Sequence, residues 1–370
     1  MQNHQPVISK IELKNFKCHS SFCEDFNNLT IFAGENSAGK SSIIQSLLLF
    51  DTATHSAEDS VFTLNVRGIN LGNASGIITE SSGSDKTEIT LHINNQPNHL
   101  QLAVAEDNDV SFKVSRNHTK EKLHNLFYIN AERLGPRAVN SISSQNPFDV
   151  GTHGENAVYI VNQLDSIIKK LDFVYKEGKD KWQHFSEITK FSAIVEECLQ
   201  RIIPGTKLRV KTNAEQGTSA IRYSNGYGAD VIPTATGFGI TYVLPIIVQS
   251  LVSLLFSDAV LIVENPEAHL HPYSQSQLGR FLAEISALGT QLIIETHSEH
   301  IINGCRLRLA ETEQFDIARI IFFSRNNDTP ENKYDVIKID RAGELSAWPK
   351  GFFDQSEHDL LEVIKNKCKL

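Results

Sequence analysis

The stretch "NLTIFAGENSAGKSSIIQ", Asn28–Gln45, decides how the chain is read. Leu29, Ile31, Phe32 and Ala33 supply a short apolar run of strand character, and "SSIIQSLLLFDTA" after it has helical spacing. Between them "GENSAGKS", Gly34–Ser41, fits G-x-x-x-x-G-K-[ST]. A glycine-rich turn that joins a strand to a helix start is a phosphate cradle. Its backbone N–H groups surround the anion, and the helix dipole favours negative charge. In this reading Gly34, Glu35, Asn36, Ser37, Ala38, Gly39, Lys40, Ser41 and Ser42 form the nucleotide loop. Lys40 reaches the β- and γ-phosphates, and the Ser41 hydroxyl ligates Mg2+. The bland alternative is a chance glycine turn, and the strand and helix on either side argue against it.

Two later stretches end apolar runs on polar groups. "AVLIVENPEAHLHP" (Ala259–Pro272) leads into Glu264, Asn265 and Glu267, and "TQLIIETHSEH" leads into His297. In a doubly wound sheet, ligands bind at the C-terminal ends of the strands. An isolated acid there is more often a cap or an ion-pair partner, and an isolated histidine is more often structural. Their order after a phosphate loop turns the reading toward function.

The remaining chain predicts a sheet with a parallel core, since buried strands alternate with helices through the second half. "KIELKNF" alternates as a half-buried strand, and "EITLHI", "LQLAVAE" and "VSFKVS" read as an antiparallel sheet. Residues 157–203 read as helical, in "AVYIVNQLDSIIKKLDFVY" and "FSEITKFSAIVEECLQRII", too short for a coiled-coil arm. The expected division is 1–150 (N-terminal lobe), 151–205 (helical insertion), 206–340 (C-terminal lobe) and 341–370 (terminal segment).

Composition sets the outer limits. The 370 residues are 40% hydrophobic and 21% charged, ordinary for a globular chain. A net charge of −9 argues against bulk attraction to nucleic acid or an anionic membrane. The start, "MQNHQPVISKIELKNF", has no apolar core of signal-peptide length. The most apolar run, Thr241–Phe256, is short for a membrane span and is interrupted by Pro245, Gln249 and Ser250. Cys18, Cys23, Cys198, Cys305 and Cys368 show no C-x-x-C spacing, so neither a zinc site nor a disulfide framework is signalled. A cytoplasmic protein that does not engage a membrane is expected.

The chain resembles the ABC-type ATPases of the SMC, RecF and OLD group, on "IELKNF" before "GENSAGKSS", on "ENPEAHLHP" and on "ETHSEH". It looks closest to compact bacterial defence-associated AAA ATPases, which share a W-P-x-G-F-F segment, here in "AWPKGFFDQ" (Ala347–Gln355). The resemblance implies an α/β ATPase head with a mixed, partly parallel sheet, an antiparallel β subdomain and a helical insertion. It also implies ATP and Mg2+ as cofactors and a homodimer closed around two ATP molecules. Glu264 falls at the Mg2+-side acid. Asn265 falls where the glutamate that polarises the attacking water normally stands, His271 in the dimer-contacting loop, and His297 at the γ-phosphate switch. "TATGFGITY" (Thr234–Tyr242) takes the place of the signature segment, with Gly237 and Gly239 at a predicted helix start. No glutamine fits the Q-loop, because Gln45 lies on the helix after the phosphate loop.

An amide cannot accept a proton at neutral pH, so Asn265 predicts slow hydrolysis, with Glu267 reaching back as a substitute base. The expected output is control of a partner effector such as a nuclease, in antiviral defence. The chain itself carries no D-x-D past His300 for a TOPRIM nuclease, and Asp335 and Asp340 have the wrong spacing. The rival readings are a RecF-like DNA-repair ATPase, which would bind DNA or RNA, and a transporter subunit. "INAERLGPR" offers Arg133 and Arg137 either to nucleotide, DNA or partner, or to ordinary salt bridges. Arg201, Lys207, Arg209, Lys211 and Arg222 form a second basic group, read as a solvated strand face before a phosphate-binding one.

Overall fold

The computed structural model describes residues 5–54, 56–105, 110–141, 146–188, 190–213, 218–224, 230–235, 237–325 and 333–367. Thr236 of the signature segment and Cys368 lie outside them. The central sheet runs β10 (Asn125–Ile129), β14 (Ala259–Glu264), β15 (Gln291–Glu295), β3 (Leu29–Gly34), β16 (Ala318–Ser324), β17 (Lys333–Ile337). Its pairings are parallel except the last, β16 with β17. The core strands carry apolar residues at successive positions because both faces are covered. In β14, Leu261 and Val263 face one core, while Val260 and Ile262 face the other.

A second, fully antiparallel sheet has the order β2 (His19–Asp25), β1 (Ile8–Phe16), β7 (Lys86–Ile93), β8 (Gln96–Val104), β9 (Ser111–His118), β4 (Val61–Thr63). Helix α1 (Lys40–Ala53) lies between the two sheets. Ile43, Ile44, Leu47, Leu48, Leu49 and Phe50 are all buried, so this helix is apolar around most of its circumference. The strands β5 (Asn65–Val66) and β6 (Ile69–Asn70) form a small ribbon beyond it.

The other face of the central sheet carries α2 (Ala157–Val174), α4 (Phe191–Ile202), α5 (Phe238–Ser253), α6 (Pro272–Ala287) and α7 (Glu299–Glu311). A three-stranded antiparallel sheet of β11 (Asn140–Ser141), β13 (Thr218–Ser224) and β12 (Lys207–Asn213) flanks them. The helical insertion departs from its expected continuity. Between α2 and α4 the chain forms only α3 (Lys176–Asp180) and a 3-10 turn at Lys181–His184, and Phe185–Ile188 is not helical. Contacts with the end of α5 fix this break. Trp182 Nε1 donates to Leu251 O at 2.8 Å, and Gly178 sits so close to Leu254 that a Cβ there would stand 2.5 Å from its carbonyl oxygen. Helix α8 (Gln355–Lys367) ends the described chain.

Two buried glutamines tie segments together by imitating a strand partner. Gln291 accepts from Ile8 N at 2.8 Å and donates to Ile8 O at 2.7 Å, joining the two large sheets. Gln249 accepts from Val150 N and donates to Phe148 O. Helices α6 and α7 cross where Gly279 and Gly304 leave room: a Cβ on either would lie 2.1–2.2 Å from a carbonyl oxygen of the facing helix.

Candidate nucleotide site

The phosphate loop leaves β3 through Gly34, whose φ of 124° belongs to glycine, and a Cβ there would collide with Phe323 O. Gly39 (φ 103°) turns the chain into α1, with its carbonyl held by His19 Nε2 at 3.1 Å. The Lys40 side chain is folded back on the loop, and Nζ donates to Gly34 O (3.0 Å) and Glu35 O (2.7 Å). Burial lowers the Lys40 pKa, while Glu295, Glu35 and Glu267 act to raise it.

These residues open onto a cleft of about 600 Å³, lined by Asn36, Ser37, Gly39, Lys40, Ser41 and Ser42 on one side. Asn265, Glu295 and His297 line it from the ends of β14 and β15, and Lys17, Cys18 and Gln45 from the antiparallel lobe and α1. The parallel register explains the convergence: Glu264 pairs with Glu295, and Glu295 with Phe32, two residues before the loop.

Ser41 Oγ donates to Glu295 Oε1 at 2.9 Å, so the acid touching the predicted metal-binding hydroxyl comes from "IIETHS". Sequence reasoning assigned Glu295 no role. It ends a strand just as Glu264 does, and only the sheet order places it beside the phosphate loop. Glu264 stands one strand away and accepts from Ala131 N at 3.4 Å. Burial first, and then the neighbouring Glu295 carboxylate, push its pKa up to about 7 against the pull of Ala131 N–H, Tyr128 and Arg133. Glu295 is likewise raised, mainly by burial.

Asn265 adopts a left-handed backbone (φ 44°), with its N–H on Glu295 O at 2.8 Å. Its side-chain oxygen is buried without a partner, as is Glu295 Oε2. Glu267 is turned toward the Thr296–His297 segment that follows β15. Its two oxygens accept from Thr296 Oγ1 and from His297 N, each at 2.7 Å, an arrangement that holds the histidine loop. Burial first, and then Lys40, depress the His297 pKa against the pull of Glu267.

Arg133 resolves as a buried brace of this turn. Nη1 donates to Asn130 O (3.0 Å) and Glu264 O (2.8 Å), and Nη2 donates to Asn265 O (2.6 Å). It is 3% exposed, and burial lowers its pKa to about 10. Arg137 is exposed and borders a separate cavity with Asn70, Glu132 and His153. Within the second basic group, Arg201 is paired with Glu284 and Arg209 with Asp230.

The predicted signature glycines do not line the cleft. Gly237 caps the N-terminus of α5, Phe238 beside it is half exposed, and Gly239 packs against His269 O. His271 caps α6 through Nδ1, which accepts from Tyr273 N.

A magnesium nucleotide suits the donor set. The orphaned oxygens of Asn265 and Glu295 sit beside a lysine, a serine hydroxyl and a 14-residue helix start with no acid in its first turn. Among the described residues no cluster of three or more His, Cys, Asp or Glu could hold a metal alone.

A family model described as "AAA domain, putative AbiEii toxin, Type IV TA system" matches residues 29–303, and one described as "Protein of unknown function (DUF3696)" matches residues 316–363. No curated protein matches. Among solved structures, the chain is similar to an Smc head bound to the C-winged helix domain of ScpA, at 15% identity and a TM-score of 0.58 over 91% of this chain and 99% of that one. It is also similar to the Pyrococcus furiosus Smc head with an extended coiled coil bound to the C-terminal domain of ScpA, at 15% identity and a TM-score of 0.55, covering 98% and 100%. Among the described residues no helix is long and apolar enough to cross a membrane. With the phosphate loop, the strand-end acids and the histidine loop converging on one cleft of an SMC-head-like fold, and a family model spanning most of its length, the chain belongs to this AAA-domain family.

Proposed function

We propose that the cleft binds ATP with Mg2+ and hydrolyses it slowly, as a molecular switch. The observation that carries this reading is the convergence of Lys40, Ser41, Asn265, Glu295 and His297 on one cleft at the N-terminus of α1. Lys40 exchanges its two loop carbonyls for phosphate oxygens. Ser41 and Glu295, with Glu264 behind them, hold the magnesium side. The ion, when bound, neutralises phosphate charge and orients the γ-phosphate. Asn265 orients water through its amide but takes no proton, and this absence of a base keeps turnover low. Glu267 supports His297, which reads the γ-phosphate.

Two copies close on two nucleotides, each offering the α5 N-terminus at Gly237 and Gly239 to the other's γ-phosphate. The exposed position of this helix start, away from its own cleft, supports that arrangement. Closure then controls a partner effector, such as a nuclease, in antiviral defence. The RecF-like reading is the alternative: in the basic group Arg201 and Arg209 are ion-paired, while Lys207, Lys211 and Arg222 are exposed.

The test is ATP binding and turnover for wild type, Lys40→Ala, Asn265→Glu and Glu267→Gln. Binding is lost in Lys40→Ala, and hydrolysis rises on installing the carboxylate in Asn265→Glu. Rapid wild-type turnover that Glu267→Gln leaves unchanged refutes the slow-switch reading.

A further inference from the structure

A second cavity, of about 540 Å³, opens where the segment after β10 meets the β5–β6 ribbon and the loop before α2. Its size is that of a small-molecule site. Asn130, Glu132 and Arg137 line it from the segment after β10, Asn70 from the ribbon and His153 from the loop. The side-chain groups left over in this cavity are mostly donors. Asn70 Oδ1 accepts from Gly72 N at 3.0 Å, and Asn130 Oδ1 accepts from Glu132 N at 3.4 Å. An amide whose oxygen is committed in this way is left with its NH2 group, which only donates. Neither NH2 group has a partner among the described residues. His153 closes the wall, with Nδ1 donating to Glu132 O at 2.6 Å. Arg137 is exposed and has no carboxylate partner among the described residues.

Arg133 lines the same cavity. It is 3% exposed, its three hydrogen bonds go to main-chain carbonyls rather than to a carboxylate, and its Nε is buried without a partner. A buried cation that lacks an ionic partner carries its desolvation penalty uncompensated. The lining therefore sets two guanidinium groups against one carboxylate, that of Glu132. We infer that this cavity binds a small phosphate-bearing anion, with Arg137 as its ion-pair partner and the Asn70 and Asn130 amides as neutral donors. A guanidinium matches phosphate oxygens with two parallel bonds. Phosphate directs its oxygens tetrahedrally and so takes donors from two chain segments at once, whereas a carboxylate offers two oxygens in one plane. The anion also brings Arg133 the opposite charge it lacks. Because Arg133 holds the carbonyls of Glu264 and Asn265, the occupant sits one side chain away from the nucleotide cleft.

Isothermal titration of the full chain with inorganic pyrophosphate, at fixed ionic strength, tests this. Lys40→Ala serves as the background, which silences the phosphate loop and makes the result independent of the nucleotide reading. Lys40→Ala binds pyrophosphate. Adding Arg137→Ala weakens binding about tenfold or more, the loss of one hydrogen-bonded charge, and Arg137→Lys in its place recovers part of it. Asn70→Asp keeps the bond from Gly72 N, exchanges the donor for an anionic oxygen and weakens binding at least as much. Both positions are exposed, so the melting temperatures stay at that of the background. A Lys40→Ala protein that binds no pyrophosphate overturns the proposal. Binding indifferent to both Arg137→Ala and Asn70→Asp also overturns it and assigns the anion to the phosphate loop. Capture of a single-stranded oligonucleotide through Arg137, with pyrophosphate unable to compete, overturns it too, because the occupant is then a nucleic-acid backbone and not a small anion.

Discussion

Replacing Arg133 by methionine keeps an unbranched stem and removes the guanidinium with its charge and donors. The guanidinium makes three hydrogen bonds to the carbonyls of Asn130, Glu264 and Asn265. Bonds from a charged donor are worth about 1.5–3 kcal/mol each, so the gross loss is large. Against it stands the relief of a buried cation, several kcal/mol after protein relaxation. What remains is three carbonyls short of a donor, at about 1 kcal/mol each where water gains entry. The left-handed turn at Asn265 also loses its brace. The net expectation is about 3 kcal/mol. At the lower end of about 2–4 °C per kcal/mol, a melting temperature falls by about 6 °C. Hydrogen exchange reads the mechanism separately: the Asn265 amide, bonded to Glu295 O, loses protection while the β7–β8 hairpin keeps its own. Arg133→Lys recovers less than half of the loss, since one ammonium cannot span carbonyls addressed by both ends of a planar fork. A variant that melts within a degree of wild type, with the Asn265 amide still protected, refutes the bracing role.

Glu284, 4% exposed, is ion-paired with Arg201 and Arg308. Burial would raise its pKa, but His184, Arg201 and Arg308 outweigh that and hold it below the carboxylate value of 4.5. A depressed folded-state pKa stabilises fully above the unfolded value and fades as pH falls through the folded one. Glu284→Gln therefore costs about 2 kcal/mol at pH 7, discounted for partly exposed arginines. The gap to wild type closes below pH 4.5, and a gap independent of pH in urea titrations contradicts the assignment. Gly304→Ala places a methyl against Ser276 O at the α6–α7 crossing, and overpacking of this kind costs about 1–3 kcal/mol. A thermal melt unchanged by Gly304→Ala shows that the crossing yields freely.

Much of the frame was legible because its signals are local. The strand–loop–helix order around Gly34–Ser41 needs only neighbouring residues, and the continuous apolar runs of β14 and β15 announce strands covered on both sides. The missed features depend on distance in space. Glu295 meets Ser41 across 254 positions, and Arg133 spans more than 130 to reach the turn after β14. "INAERLGPR" reads equally as a ligand loop or a salt-bridged one. In the structure Arg137 stays exposed, and Arg133 bonds to main-chain carbonyls, which leave no signature in residue types. The break after α2 has the same cause, since Trp182 is positioned by Leu251 of α5, 69 residues on, and Gly178 by Leu254 just past its end.

Helix α1 carries the phosphate loop on its first turn and is gripped by a sheet on either side. Close-packed interiors have low compressibility and transmit strain. A change of side-chain volume in this helix is therefore felt by both sheets at once, and the sheets are also joined directly by the Gln291–Ile8 hydrogen bonds.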